Sequence, residues 1–387
     1  MRIIGTTARG VRLPIISPGD DLVNIVADHV IASSKSEEYA IEESDVVGIT
    51  EAIVAKSQNN FATINQLAAD VAAKFPEGEA GIVFPIFSRN RFLNILKGIA
   101  KGLKKVYILL SYPQDEVGNP IVDWEALDNV TTDKTMFEGS EFRKLFGEYL
   151  HPFTDIDYID LYKSVGDNVE IYLSKDPRDI LKLTPNVIDA EIHMRERTKK
   201  RLLKAGAKKV YCLSDLLSSS VDGSGYNEKY GVLGSNLSTG EKLKLFPHDC
   251  ESFVEKVQKA IFDRTQVNIE VMIYGDGAFK DPYCGIWELA DPVVSPAYTQ
   301  RLGGMPNEIK LKYIADNQFG NLSSEDKQSA VVDYIRNKKE NASVNEGTTP
   351  RKYADLLGSL CDLMSGSGDK GTPVIYIKGY FDDLSAF

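Results

Sequence analysis

The stretch 364–381, MSGSGDKGTPVIYIKGYF, decides how the chain is read. It crowds Gly366, Gly368 and Gly371 among Ser365, Ser367, Asp369 and Lys370, then runs into an alternating apolar segment that predicts a strand. Glycine costs conformational entropy on folding and packs nothing, so such a cluster needs a reason. One reason is a helix C-cap followed by a turn. The other is a backbone cradle for phosphate, whose N–H groups approach an anion closely where no Cβ intervenes. The three glycines spell GxGxxG, but they precede a strand instead of joining a strand to a helix, the wrong setting for a dinucleotide fingerprint. No GxxxxGK[ST] occurs, so a P-loop is unsupported.

The surrounding chain sets the scale. At 387 residues it is long enough for two domains or for one with a large insertion, and its 43% hydrophobic and 26% charged residues are ordinary for a globular protein. A formal charge of −11 argues against a nucleic-acid partner held by phosphate contacts and fits an enzyme that meets anionic substrates through bound cations. Cys212, Cys250, Cys284 and Cys361 lie far apart without a CxxC pair, which predicts free thiols in a reducing compartment. The opening MRIIGTTARG lacks the apolar core of a signal peptide, and no apolar run approaches about 20 residues. The expectation is a cytoplasmic protein without a membrane partner.

Outward from the C-terminal strand, the periodicity predicts a mixed α/β fold. Helices are expected near 20–34, 62–73, 91–103, 246–265, 323–340 and 350–365, with Asp249 as the N-cap of the fourth. The segment 45–58 predicts a buried strand running into a short helix, and 80–111 predicts strand, helix and strand, hence a parallel pair. The stretch 112–184 is less regular and reads as an insertion; 186–217 restores strand, helix and strand, with a basic helix from Arg195 to Lys204 expected to present a solvated face. His29, His151, His193 and His248 read as structural.

Three glycine-rich loops each carry an acid: Asp222 in SVDGSGY, Asp276 in YGDGAFKDP and Asp369 in SGSGDKGTP. Any one is readily a turn, since Asp favours turns. Together they predict one site assembled from distant segments, in which carboxylates hold Mg²⁺ and loop N–H groups approach a nucleotide's phosphates. Lys56, closing TEAIVAK, can place a point charge on a phosphate or remain a surface lysine. Arg89 and Arg91 in FSRNRF can clamp a carboxylate or cap the strand end.

The order of LPIISPGDDL, DVVGITEAIVAKSQ, SVDGSGY, LFPHDCESFVEKVQKAI, VMIYGDGAF and MSGSGDKGTPVIYIKGY resembles the γ-glutamyl ligases of deazaflavin (coenzyme F-420) biosynthesis. The similarity is scattered over 1–60 and 205–387. It implies a ligase-like fold of mixed sheets flanked by helices, with a core in 1–89 and 206–387 and an inserted subdomain in 90–205. The implied activity is GTP- and Mg²⁺- or Mn²⁺-dependent amide formation between L-glutamate, or another amino acid, and a small-molecule carboxylate acceptor, in a homodimer. The resemblance places Leu13, Pro14, Ile15 and Ile16 against the guanine nucleotide, and Thr50, Glu51 and Lys56 on GTP. It makes Asp222 and Asp276 metal ligands and, with Lys56, catalytic groups. Asp369 or Ser367 then substitutes for the family's closing ligand, in a nucleotide-binding run 366–371. Gly225 replaces the family's asparagine, and GDGAFKDPYCG lacks the family's threonine and arginines. The alternative is a non-catalytic nucleotide- or metabolite-binding protein on the same fold; a third option is another phosphate-dependent reaction on a substrate held by the insertion.

Overall fold

The run behind the glycine cluster forms a strand, Val374–Lys378, with every residue buried. The computed structural model describes residues 3–238, 240–275, 293–338, 351–365 and 369–385. In chain order the strands are β1 (Thr7–Val11), β2 (Val46–Thr50), β3 (Phe61–Thr63), β4 (Glu79–Val83), β5 (Lys105–Ser111), β6 (Met136–Glu138), β7 (Val169–Ser174), β8 (Asn186–Asp189), β9 (Lys209–Cys212), β10 (Asn236–Leu237), β11 (Lys242–Lys244), β12 (Glu270–Tyr274), β13 (Ala297–Tyr298) and β14 (Val374–Lys378). They build three sheets in a mixed α/β fold, as the periodicity predicts. The chain divides into two compact units: the described residues within 1–53, 249–277 and 293–387, and those within 54–248.

The first unit holds the five-stranded sheet β1-β14-β2-β12-β13. β2 and β12 are parallel; the remaining pairs are antiparallel. Side chains alternate across the sheet, so Ile375 and Ile377 of β14 join Val46 and Met272 in packing against Leu357 and Cys361 of the helix Tyr353–Met364. Gly48 is required there, because an added Cβ would land on the Cys361 sulfur. At one end of the sheet the buried Asp45 accepts hydrogen bonds from the Tyr376 hydroxyl and from the N–H groups of Glu42 and Gly379. Burial raises its pKa against those bonds.

The second unit carries the six-stranded sheet β6-β7-β5-β4-β8-β9, parallel except for β6, and the antiparallel sheet β10-β11-β3. Taken by chain order, the parallel strands run third, second, first, fourth, fifth. Val83, Leu109, Val187 and Val210 pack on Ile180 and on Leu202 of the helix Arg195–Lys204. The helices Ile64–Lys74 and Leu93–Gly102 pack together closely enough that a Cβ on Gly98 or Gly102 would strike Leu67 or the Ala68 carbonyl. This is a doubly wound sheet whose strand order reverses between β4 and β8.

Several expectations need correction. The segment 90–205 is no separate insertion: β5, β7 and β8 lie inside it yet hydrogen-bond in one continuous sheet with β4 and β9 outside it. Its aromatic, irregular sequence hid β7, which pairs with β5 over its full length. Asp249 is no side-chain cap; it takes a left-handed φ of 52° at the head of the helix Cys250–Thr265. The basic helix is not simply solvated, since Lys199 pairs with Asp215 at 3.0 Å and Arg201 with Asp176 at 3.2 Å. Among the described residues Cys212, Cys250 and Cys361 are buried and in no disulfide, while Cys284 lies outside them. No helix among the described residues is long and apolar enough to cross a membrane.

Candidate functional site

The register of the five-stranded sheet brings the sequence-distant segments to one end. Val11 faces Val374, Val374 faces Ile49, and Thr50 lies beside Tyr274. From that end, opposite Asp45, emerge Arg12–Ile16, the helix that starts at Glu51, and Gly275; into it feed residues 369–373. The Thr50 N–H donates to the Pro373 carbonyl at 3.0 Å, and Gly275 N–H to Val294 at 2.9 Å, so the strand ends are locked together where their loops begin. Of the LPII run, Ile16 is buried, Leu13 half-buried and Pro14 exposed, while Ile15 stands 88% exposed. Ile16 is therefore part of the core and Ile15 is not. Asp369 and Lys370 are exposed, and Gly371 takes a positive φ of 63° that favours glycine. Asp276, Gly366, Ser367 and Gly368 lie outside the described residues.

Glu51 opens the short helix Glu51–Ser57 and is buried; Lys56 sits half-buried in its last turn and forms no ion pair among the described residues. Lys56 and Asp222 belong to the second unit. After Lys56 the chain turns through Asn60, whose N–H donates to the Ala55 carbonyl at 2.9 Å. Asn60 then organises the Asp222 loop. Its Oδ1 accepts the Tyr226 N–H at 2.9 Å, and its Nδ2 donates to the carbonyls of Tyr226 at 3.0 Å and Phe246 at 2.6 Å. Asn227 adds bonds to Pro247 and to the N–H groups of Lys229 and Tyr230. The sequence reading missed both asparagines; Asn227 follows the glycine-rich SVDGSGY, while nothing local marks Asn60.

Asp222 sits at the exposed tip with a left-handed φ of 49°, and its backbone carbonyl accepts from Gln66 Nε2 at 2.9 Å. Its carboxylate has no hydrogen-bond or ion-pair partner among the described residues, so a rigid turn presents an unencumbered hard-oxygen group. Among the described residues no group of three or more His, Cys, Asp or Glu is arranged to hold a metal. Asp222 by itself offers one carboxylate, fewer than an all-protein cage needs. At Gly225, where the resemblance leads one to expect asparagine, the N–H donates to the Phe61 carbonyl at 2.7 Å, and a Cβ would sit 2.7 Å from Phe61 N and 2.8 Å from Asn60 C. No side chain fits at 225 while the loop hugs β3.

The histidines are structural where their bonds are described. His29 Nδ1 meets the Ile25 carbonyl at 2.8 Å, buried His151 bonds to Asn119, and His248 stacks on Tyr226.

The profile of the F420-0:Gamma-glutamyl ligase family matches residues 10–379, running through the 90–205 segment that the scattered motifs left out. This defines a ligase that forms carbon–nitrogen bonds. The chain belongs to the F420-0:Gamma-glutamyl ligase family. No curated protein matches it.

Proposed function

We propose that the protein is a GTP- and divalent-metal-dependent amide ligase that joins L-glutamate, or another amino acid, to a carboxylate acceptor through an acyl phosphate. One observation carries this reading within the family: the register that sends the segments 12–16, 50–51, 275 and 369–373 out of one end of the five-stranded sheet. A nucleotide needs an apolar contact for its base and close N–H donors for its phosphates, and these segments supply exposed Ile15 and the glycine-rich run.

In this mechanism the acceptor's carboxylate oxygen attacks the γ-phosphorus, breaking the bond to the β–γ bridging oxygen and releasing GDP. The amine nitrogen then attacks the acyl carbon, loses a proton, and expels inorganic phosphate. The Lys56 ammonium neutralises charge on the phosphate oxygens, and the 369–371 backbone orients the terminal phosphate. Asp222, Asp276 and Asp369 would hold Mg²⁺ or Mn²⁺, which when bound neutralises phosphate charge. The absent family arginines and the packed Gly225 favour an acceptor other than the deazaflavin.

The test is phosphate release from GTP or ATP with Mg²⁺ or Mn²⁺, with and without L-glutamate and a carboxylate acceptor panel. Release that rises only when both acceptor and amino acid are present supports the ligase. Tight nucleotide binding with no turnover under any combination supports the non-catalytic alternative.

A further inference from the structure

The parallel strands of the second unit leave a space at their carboxyl ends that the ligase reading does not use. Open α/β sheets take ligands outside those ends, foremost where the strand order reverses. At the reversal between β4 and β8 the cavity walled by Ile86, Phe92 and Ile192 measures about 20 Å³, room for one water. Beyond β5 and β7, by contrast, lies a cleft of about 520 Å³, the size of a small-molecule site. Ser111 and Ser174, partners in register, end those two strands. Tyr112 and Lys175 follow them and line the cleft, together with Phe146 and side chains from 127–135.

The lining divides by chemistry. Leu127 and Val130 are half-buried and, with Phe146 and the Tyr112 ring, present apolar surface. Tyr112 is 7% exposed, and its ring is fixed against Phe137, Phe142 and Phe146, with centroids 6.0, 5.3 and 6.3 Å away. Its hydroxyl has no hydrogen-bond partner among the described residues, and it is not sealed from water. Burial, and then the Asp179 charge, raises its pKa, so it remains a proton donor. The Lys175 ammonium lies 5.0 Å from the centroid of the same ring and forms no ion pair among the described residues. A contact with a ring face leaves an ammonium N–H donors to spend on an oxygen.

Most other charges of the cleft are already matched. Asp176 accepts from Arg178 Nε at 3.0 Å and from Arg201 at 3.2 Å, and the Lys134 ammonium donates to Glu141 at 2.5 Å. Asp133 is exposed and forms no ion pair among the described residues. The strand-end segments SYPQDEV (111–117) and SKDPR (174–178) carry no glycine, which excludes the close backbone approach a polyphosphate requires.

We propose that this cleft binds a small aromatic monocarboxylate, its ring against Leu127, Val130 and Phe146 and its carboxylate on the Lys175 ammonium and the Tyr112 hydroxyl. One unmatched ammonium beside a hydroxyl donor balances one carboxylate, and the volume and apolar lining suit a ring better than a short chain. The cleft lies wholly within the second unit and its test needs no nucleotide, so its failure leaves the ligase reading untouched.

The test is methyl NMR of the full chain labelled at leucine and valine, titrated with sodium phenylacetate, phenethylammonium chloride or sodium acetate at constant ionic strength. Phenylacetate is expected to shift the Leu127 and Val130 methyls saturably, while phenethylammonium, which Asp133 would favour, and acetate, which lacks the ring, do not. Lys175→Met should weaken phenylacetate about tenfold or more, with Lys175→Arg keeping most of the affinity. Tyr112→Phe should weaken it several-fold yet leave the ligand-free melting temperature unchanged, because no hydrogen bond is lost. The assignment is overturned by the absence of a saturable phenylacetate shift, by an equal response to phenethylammonium or acetate, or by unchanged affinity in either Lys175→Met or Tyr112→Phe.

Discussion

Replacing Asp189 with asparagine should reverse its effect on stability between pH 5 and pH 8. Asp189 ends β8 fully buried; its Oδ1 accepts the Glu191 N–H at 3.2 Å, and its Oδ2 has no partner. Burial first, and the neighbouring Glu191 charge second, push its pKa from the usual 3.8 up to about 8. Between those values the folded protein keeps a proton that the unfolded chain releases. Stability on this account is fully present below the unfolded pKa and is lost as pH rises towards 8, by about 1.4 kcal/mol per pH unit. From pH 5 to pH 8 the loss is about 4 kcal/mol. An asparagine at this position would keep the bond to Glu191 but place an unpaired amide N–H where Oδ2 sits, at a cost of about 1–3 kcal/mol. Asp189→Asn should therefore be level with or slightly below the parent at pH 5, and above it by about 2–3 kcal/mol at pH 8. Urea unfolding across this range measures it, in a Trp287→Phe background so that fluorescence reports Trp124 of the second unit. An unchanged pH slope in Asp189→Asn, or an equal loss at both ends of the range, refutes the reasoning.

Asp222→Ala and Lys56→Met should each lower nucleotide turnover by about 100-fold or more while the melting temperature holds, checked by phosphate release beside thermal unfolding. Near-parental turnover in either variant removes that residue from the site. Restoring the family residue with Gly225→Asn should cost about 2–3 kcal/mol in urea unfolding, because the Asp222 loop must lift off β3. Gly48→Ala should lose about 1–3 kcal/mol through collision with the Cys361 sulfur, and Cys361→Ala in the same chain should recover most of it. Failure of that rescue would place the strain elsewhere.

The strands and helices with clean periodicity are legible in the residues alone. The spans 45–58, 62–73, 104–111 and 323–340 each hold a described element of the expected type, because burial on one face writes a period of 2 or 3.6 into the residues themselves. The 112–184 segment is not legible as a whole: β7 is a short alternating run of six residues, and its place between β6 and β5 is set only by pairing with them. The candidate site residues at 13–16, 50–51 and 369–371 stand out as unusual composition, but their common location does not.

By itself the sequence determined the local events: which runs are apolar on one face, where glycine permits a left-handed or crowded backbone, and which acids sit in turns. Those depend on neighbours a few residues apart. The tertiary structure alone decided that β14, last in the chain, inserts between β1 and β2, and that β4 lies beside β8 rather than closing a separate core. Strand pairing is fixed by hydrogen bonds and buried faces contributed by partners hundreds of residues away, and no short window of sequence contains them.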